Sequence, residues 1–268
     1  MVATSPIPQK RELIITWERP PADFQLDDTP VENTGQPLVA GALRESLELA
    51  GRIRPENLIA SNFGLCATVN HELTIKAPDW LYVARVNQGG IPRKTYTPYL
   101  EGETPAIVME FLSDSDGGEY SHRQIPPIGK WFFYEQILKV PTYVVFEPDI
   151  GLLEVYRLQD NRYSLEQPDE NGRHWFQELE LFLGTWRGAK EGRSGYWLRW
   201  WDKDGQILPW AVEQIEQERQ RAEQERQRAE QERQRAEQER QRAEQERQRA
   251  ERLAELLRSQ GIDPEVLP

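Results

Sequence analysis

Asp79, Glu110 and Lys130 are the residues of this 268-residue chain whose types suit hydrolytic chemistry. Two carboxylates at adjacent strand ends can hold a hard divalent cation through oxygen ligands. Such a cation lowers the pKa of a bound water and polarises a phosphoryl oxygen. A nearby ammonium can steady the attacking hydroxide or the charged transition state. Asp79 and Glu110 lie 31 positions apart, and Lys130 follows in the next helical segment. Spacing alone is a weak signal, because acids and lysines are common. The setting of Glu110 is stronger, since it is the single charge in an apolar run over 106–112. A run this short and apolar suits a strand covered on both faces. A carboxylate buried there must be protonated, paired, set at a strand end facing a cleft, or bound to a metal. Read alone, Glu110 serves equally well as a solvent-facing residue on a half-exposed strand.

The elements that must position these groups follow from pattern. Residues 36–51 read as an amphipathic helix stopped by Gly51. Residues 57–69 read as a strand kinked at Gly64, and 73–83 as a strand interrupted by Pro78 that resumes at Asp79. A long polar loop over 86–103 carries Arg93 and Lys94, which with Arg85 form the basic cluster nearest the acidic strand; such clusters are more often solvated surface. A turn over 114–118 precedes a helix over 128–140, with Lys130 and Tyr134 close to one face and Pro141 at its end. Strands follow at 142–146, 152–158 and 162–167, then an apolar stretch over 175–183. This is an α/β order with a mixed sheet. The Asp202-Lys-Asp-Gly205 turn predicts a hairpin over 195–208 whose Trp197, Trp200 and Trp201 pack the base of the tail helix onto the domain or, less simply, offer an aromatic binding patch.

The implied domains are an N-terminal arm (1–35) with an edge strand at 13–17, an α/β domain (36–190), the aromatic hairpin (191–209), a long charged helix (210–260) and a tail (261–268). The helix contains five identical copies of Glu-Gln-Glu-Arg-Gln-Arg-Ala over 216–250. They hold no Gly or Pro, and they place Glu and Arg three and four positions apart. Such a helix is about 75 Å long at 1.5 Å per residue. A coiled coil wants two apolar positions per heptad, and the repeats supply one, the Ala222, Ala229, Ala236, Ala243 and Ala250 series. The middle therefore reads as a charged spacer or weak zipper, and a homodimer through the helix ends stays open.

Net charge is −12, and the ten Arg and ten Glu of the repeats cancel, so the rest of the chain carries the whole imbalance. That argues against a general nucleic-acid coat protein but not against a nuclease with a local basic lip. No apolar run reaches the length of a membrane span, and the N-terminus lacks the pattern of a signal peptide. The single Cys66 forms no internal disulfide, fits a reducing cytoplasm and reads as a small core filler. His71, His122 and His174 are too scattered for zinc, and no Gly-rich phosphate loop or nucleophile elbow is present.

Several motifs then add up. Pro78-Asp79, a strand ending in Glu110-Phe-Leu-Ser113, Lys130 and Tyr134 four apart, and Tyr-Val-Val-Phe-Glu-Pro-Asp over 143–149 stand in that order. The order resembles the putative restriction endonuclease family widespread in cyanobacteria, part of the PD-(D/E)xK nuclease superfamily. Leu153-Glu-Val-Tyr156, and Leu198-Arg-Trp-Trp-Asp202 leading into a repetitive charged helix, are also similar to many of its members. The resemblance covers most of 35–260. It implies a restriction-endonuclease-like core with a mixed central sheet flanked by helices, followed by the long charged helix. It also implies Mg²⁺- or Mn²⁺-dependent phosphodiesterase activity on DNA, with Asp79 and Glu110 as metal ligands and Lys130 as the helix-borne lysine. The chain departs from the pattern at Leu112, where the superfamily carries a lysine, and at Ser113-Asp-Ser115 in place of Ser-Pro-Ser. The segment before Lys130, where relatives carry a further acid, also departs: it holds Pro126-Pro127-Ile-Gly129, and Glu119 is a candidate substitute for that acid. The competing reading is a catalytically silent nuclease-like domain that serves as a binding module. A purely structural coiled-coil protein leaves the tryptophan-rich domain unexplained.

Overall fold

A computed structural model describes residues 13–21, 34–112 and 117–259. The chain forms two compact units, Met1–Trp210 and Ala211–Pro268. The first unit begins with β1 (Ile15–Thr16), α1 (Gly35–Leu49), β2 (Leu58–Ala60), β3 (Gly64–Val69), β4 (Glu72–Lys76), β5 (Trp80–Val83), β6 (Thr95–Tyr96) and β7 (Ile107–Phe111). A 3-10 turn (Gly117–Tyr120) leads to α2 (Lys130–Phe132), which continues as a π-helix (Phe133–Leu138). The unit closes with β8 (Thr142–Glu147), β9 (Leu152–Gln159), β10 (Arg162–Leu165), β11 (Arg173–Phe176), β12 (Leu181–Lys190) and β13 (Arg193–Trp201).

The central sheet has six strands in the order β10-β9-β8-β7-β5-β2. Only β7 and β8 run parallel; every other pair is antiparallel. The mixed sheet expected for a restriction-endonuclease-like α/β core is therefore present. Side chains alternate between faces along a strand, and the cores follow that rule. Ile107, Met109 and Phe111 join α1 and strands β12 and β13 in one core. Val108 faces the other core, with the π-helix and β3. Being covered on both faces is why β7 is apolar at nearly every position.

Three expectations need correction. The strand expected over 57–69 is two strands in different sheets, separated at 61–63, where Asn62 takes a positive φ of 50°. The helix expected over 128–140 is one α-turn followed by a π-helix, closed by Lys139 in the left-handed conformation. The hairpin expected over 195–208 pairs mainly elsewhere: β13 runs antiparallel to β12 from Lys190↔Arg193 to Phe182↔Trp201. Glu191 and Gly192 form its two-residue turn with φ of 52° and 78°, both positive as the tight hairpin turn requires. The Asp202 turn does exist, and its carboxylate accepts the Asp204 and Gln206 N–H groups at 3.0 and 2.8 Å. It contributes only the single bridge Trp201↔Ile207 to the sheet. The turn expected over 114–118, the Ser113-Asp-Ser115 motif, most of the 1–35 arm and the 261–268 tail lie wholly or largely outside the described residues. Within the arm, β1 pairs with β3 as an edge strand.

The aromatic stretch is packing material. Trp197, Trp200 and Trp210 are buried, and the Arg199 guanidinium lies 3.5 Å from the centre of the Trp210 ring. A desolvated contact of that kind contributes about 2 kcal/mol. Cys66 is fully buried, and burial pushes its thiol up to about 11. Native protein is therefore expected to resist iodoacetamide and to take up one label only after denaturation, read by intact mass; rapid native labelling would contradict this burial.

The second unit is described by α3 (Ala211–Ser259), 49 residues of helix with no buried residue. Each repeat supports itself locally. Gln220, Gln227, Gln234, Gln241 and Gln248 each donate to the Glu four positions earlier at 2.9–3.3 Å. Glu218–Arg221 and Glu223–Arg226 pair at i,i+3. Exposed pairs of this kind contribute about 0.2–0.5 kcal/mol each. No helix among the described residues is long and apolar enough to cross a membrane.

Candidate active site

The register of the central sheet brings two of the three residues together. Trp80 pairs with Met109 in the antiparallel β5–β7 ladder, so one step further along Asp79 stands opposite Glu110. Asp79 Oδ2 accepts the Phe111 N–H at 2.6 Å, fixing the carboxylate against the end of β7. On the other side Gln36, at the start of α1, donates to the Phe111 carbonyl at 2.8 Å. By alternation Glu110 points away from α1, towards the π-helix, and it is completely buried.

Lys130 and Tyr134 then close on Glu110 from one helical face. Lys130 Nζ lies 3.0 Å from Glu110 Oε2, and the Tyr134 hydroxyl donates to Oε1 at 2.8 Å. The same ammonium lies 3.3 Å from Glu119 Oε1. Gly129 makes this approach possible, because a Cβ there would meet the Ser121 carbonyl oxygen at 2.1 Å. Only glycine lets the 3-10 turn carrying Glu119 close so tightly on the start of α2. The Pro126-Pro127 segment is exposed and does not fill the site.

The electrostatics follow from the burial. Glu110 is pushed up to about 8, first by burial and then by the Asp79 charge, against the pull of Lys130 and Tyr134. Burial alone would lower Lys130, but Glu110, Glu119 and Asp79 outweigh it and hold the ammonium well above the usual lysine range. Tyr134 is raised well above its usual value by burial and by Glu110, so it stays a hydrogen-bond donor.

The donors here are all oxygens, as a hard divalent cation prefers. One of them is orphaned: Glu119 Oε2 is buried with no hydrogen-bond partner. Among the described residues no group of three or more His, Cys, Asp or Glu is arranged to hold a metal ion. Mg²⁺ does not need such a cage, since one or two carboxylates plus water and phosphate oxygens suffice. Asp79 and Glu110 fit that role.

Other polar groups have neighbours of their own. Arg93 is held by Glu101 at 3.3 Å and by the Gln88 carbonyl. Glu45 pairs with Lys190 at 2.6 Å. His122 is exposed beside the Trp131 ring, and His174 is buried against Glu166 at 3.0 Å. No motif in the sequence marks Gln36 or Lys76. Glu119 lies in a polar segment without periodicity, which gives its position only a weak signal.

A family model described as "Uma2: Putative restriction endonuclease" matches residues 36–189. No curated protein matches the chain.

Proposed function

Since the chain belongs to the Uma2 family, described as putative restriction endonucleases, we propose that it is a metal-dependent DNA endonuclease acting at Asp79, Glu110 and Lys130. The observation that carries this reading is the Lys130 ammonium 3.0 Å from a fully buried Glu110 that has Asp79 beside it. A buried carboxylate is costly and persists in an otherwise apolar strand when it has work to do. Asp79 and Glu110 would hold Mg²⁺ or Mn²⁺, which supplies an activated water and neutralises phosphoryl charge. Lys130 stands in for the lysine that position 112 lacks, and its charge steadies the extra negative charge of the pentacovalent phosphorus. Tyr134 keeps Glu110 oriented through its hydroxyl. A nicking assay on supercoiled plasmid tests the reading: Mg²⁺ or Mn²⁺ should support cleavage, EDTA should stop it, and no cleavage with either cation would overturn it.

A pH dependence follows. Glu110 keeps its proton up to about pH 8 in the metal-free protein, so cation uptake must expel that proton. Mn²⁺ affinity, followed by electron paramagnetic resonance, is expected to rise between about pH 6 and pH 8 and to level off above. A flat profile would contradict a buried Glu110 ligand.

One observation favours a silent binding module instead: Leu112 fills the usual lysine position, and Lys130 already bridges Glu110 and Glu119. The nicking assay separates the two. The single buried cysteine fits the cytoplasm. Exposed Val212, Ile215, Leu253 and Leu256 offer a seam for a second copy at the helix ends. Sedimentation of the full chain tests that, and a monomer across concentration would exclude it.

A further inference from the structure

Lys76 is a charged group that the chemistry above leaves without a role. It ends β4 three residues before Asp79 and pairs with Leu65 of β3. Directly paired residues share one face of a sheet. Leu65, Ala67 and Val69 all project into the second core, together with Val108 and Tyr134. Lys76 therefore points to the side on which Glu110 lies, not to open solvent. It is half-buried, and it feels the charges of both Lys130 and Glu110. Burial first, and then Lys130, lower its pKa. Among the described residues its ammonium has no hydrogen-bond or ion-pair partner.

A half-buried ammonium on the same side as a second ammonium is unfavourable unless anions offset both charges. The charges of the site identify one such anion. Among the described residues, once cation uptake has ionised Glu110, the charges of Asp79, Glu110 and Glu119 against Lys76, Lys130 and a divalent cation leave one positive charge. A phosphodiester carries one negative charge and presents two non-bridging oxygens. We propose that Lys76 binds the non-bridging oxygens of the DNA phosphate that enters the site, as a substrate-binding residue distinct from Lys130. This rests on the endonuclease reading above.

The test compares wild type with Lys76→Met and Lys76→Arg in the full chain. Duplex DNA binding is followed by fluorescence anisotropy with Ca²⁺ over a range of salt, and metal binding by Mn²⁺ paramagnetic resonance. Loss of one phosphate contact should weaken binding about tenfold and reduce the slope of log affinity against log salt by about one. Mn²⁺ affinity should stay within about twofold, and Lys76→Arg should recover most of the DNA affinity. Lys76→Gln replaces Lys76→Met if the latter does not fold. Wild-type affinity and slope in the Met or Gln variant would overturn the assignment of Lys76 alone. Wild type that binds no DNA would overturn the endonuclease reading and this assignment with it.

Discussion

Glu110→Gln is expected to lower metal-dependent DNA cleavage at least about a hundredfold while making the metal-free protein more stable. The loss follows from removing one of two proposed protein ligands, so that water activation and charge neutralisation fail together. The gain follows from burial. The folded protein raises the Glu110 carboxyl from 4.5 to about 8. A raised carboxyl pKa means that stability is fully present below the ordinary value and is lost as pH rises towards about 8. Gln keeps the shape and can still accept from Tyr134, but it never ionises. At about pH 8.5 in EDTA the variant should gain about 1–3 kcal/mol, a rise of several degrees in Tm. At pH 4 the two proteins should melt alike. An unchanged or lower Tm at high pH would show that the Lys130 pairing outweighs the desolvation.

Lys130→Met should lose about 10²- to 10³-fold in kcat, the usual effect of removing a preorganised charge from a reacting site. Its stability should move in the opposite direction from that of Glu110→Gln. Lys130 is the cation shared by Glu110 and Glu119, at 3.0 and 3.3 Å. Without it the Glu119 carboxylate, and that of Glu110 once it ionises, stand uncompensated at the end of the buried site. The ammonium is partly exposed, at 29% for its side chain, so the full penalty of an orphaned buried charge is discounted to about 1–3 kcal/mol. Added divalent cation should restore part of that loss, because it replaces the missing positive charge. Lys130→Arg keeps the charge but presents a planar fork instead of a point donor, and it should recover stability better than rate. Thermal melts with and without Mn²⁺, and single-turnover cleavage, read both effects.

Much of the architecture could be read in advance because its signals are local and periodic. The seven-residue repeat dictates α3 whatever else the chain does, since its hydrogen bonds and ion pairs lie within one or two turns. Glu110 stood out because one carboxylate interrupts a strand that is otherwise apolar. What escaped depends on geometry that the pattern does not encode. The β12–β13 hairpin turns on Glu191-Gly192, and Glu at a positive-φ position gives a far weaker signal than the Asp-Gly at Asp204-Gly205, which drew the pairing to the wrong place. The π-helix keeps Lys130 and Tyr134 four apart, so the spacing fits an α-helix equally well. Lys76 ends a short strand after Leu73 and Ile75, and no local pattern marks it. Its pairing with Leu65, on a β3 strand buried at every position, turns it towards the second core. Glu119 reaches Lys130 only through the fold-back at Gly129, a contact no sequence spacing predicts.

The central claim is that Asp79 and Glu110 are two halves of one cation site on neighbouring strands. Asp79 is the sharper probe, because its carboxylate sits at the strand end and its loss leaves the Glu110–Lys130–Tyr134 cluster with its own partners. The decisive measurement is nicking of supercoiled plasmid in Mg²⁺ by wild type and by Asp79→Ala, both folded by circular dichroism. Cleavage by wild type and its loss in Asp79→Ala is the predicted result. Equal cleavage by the two proteins would contradict the site.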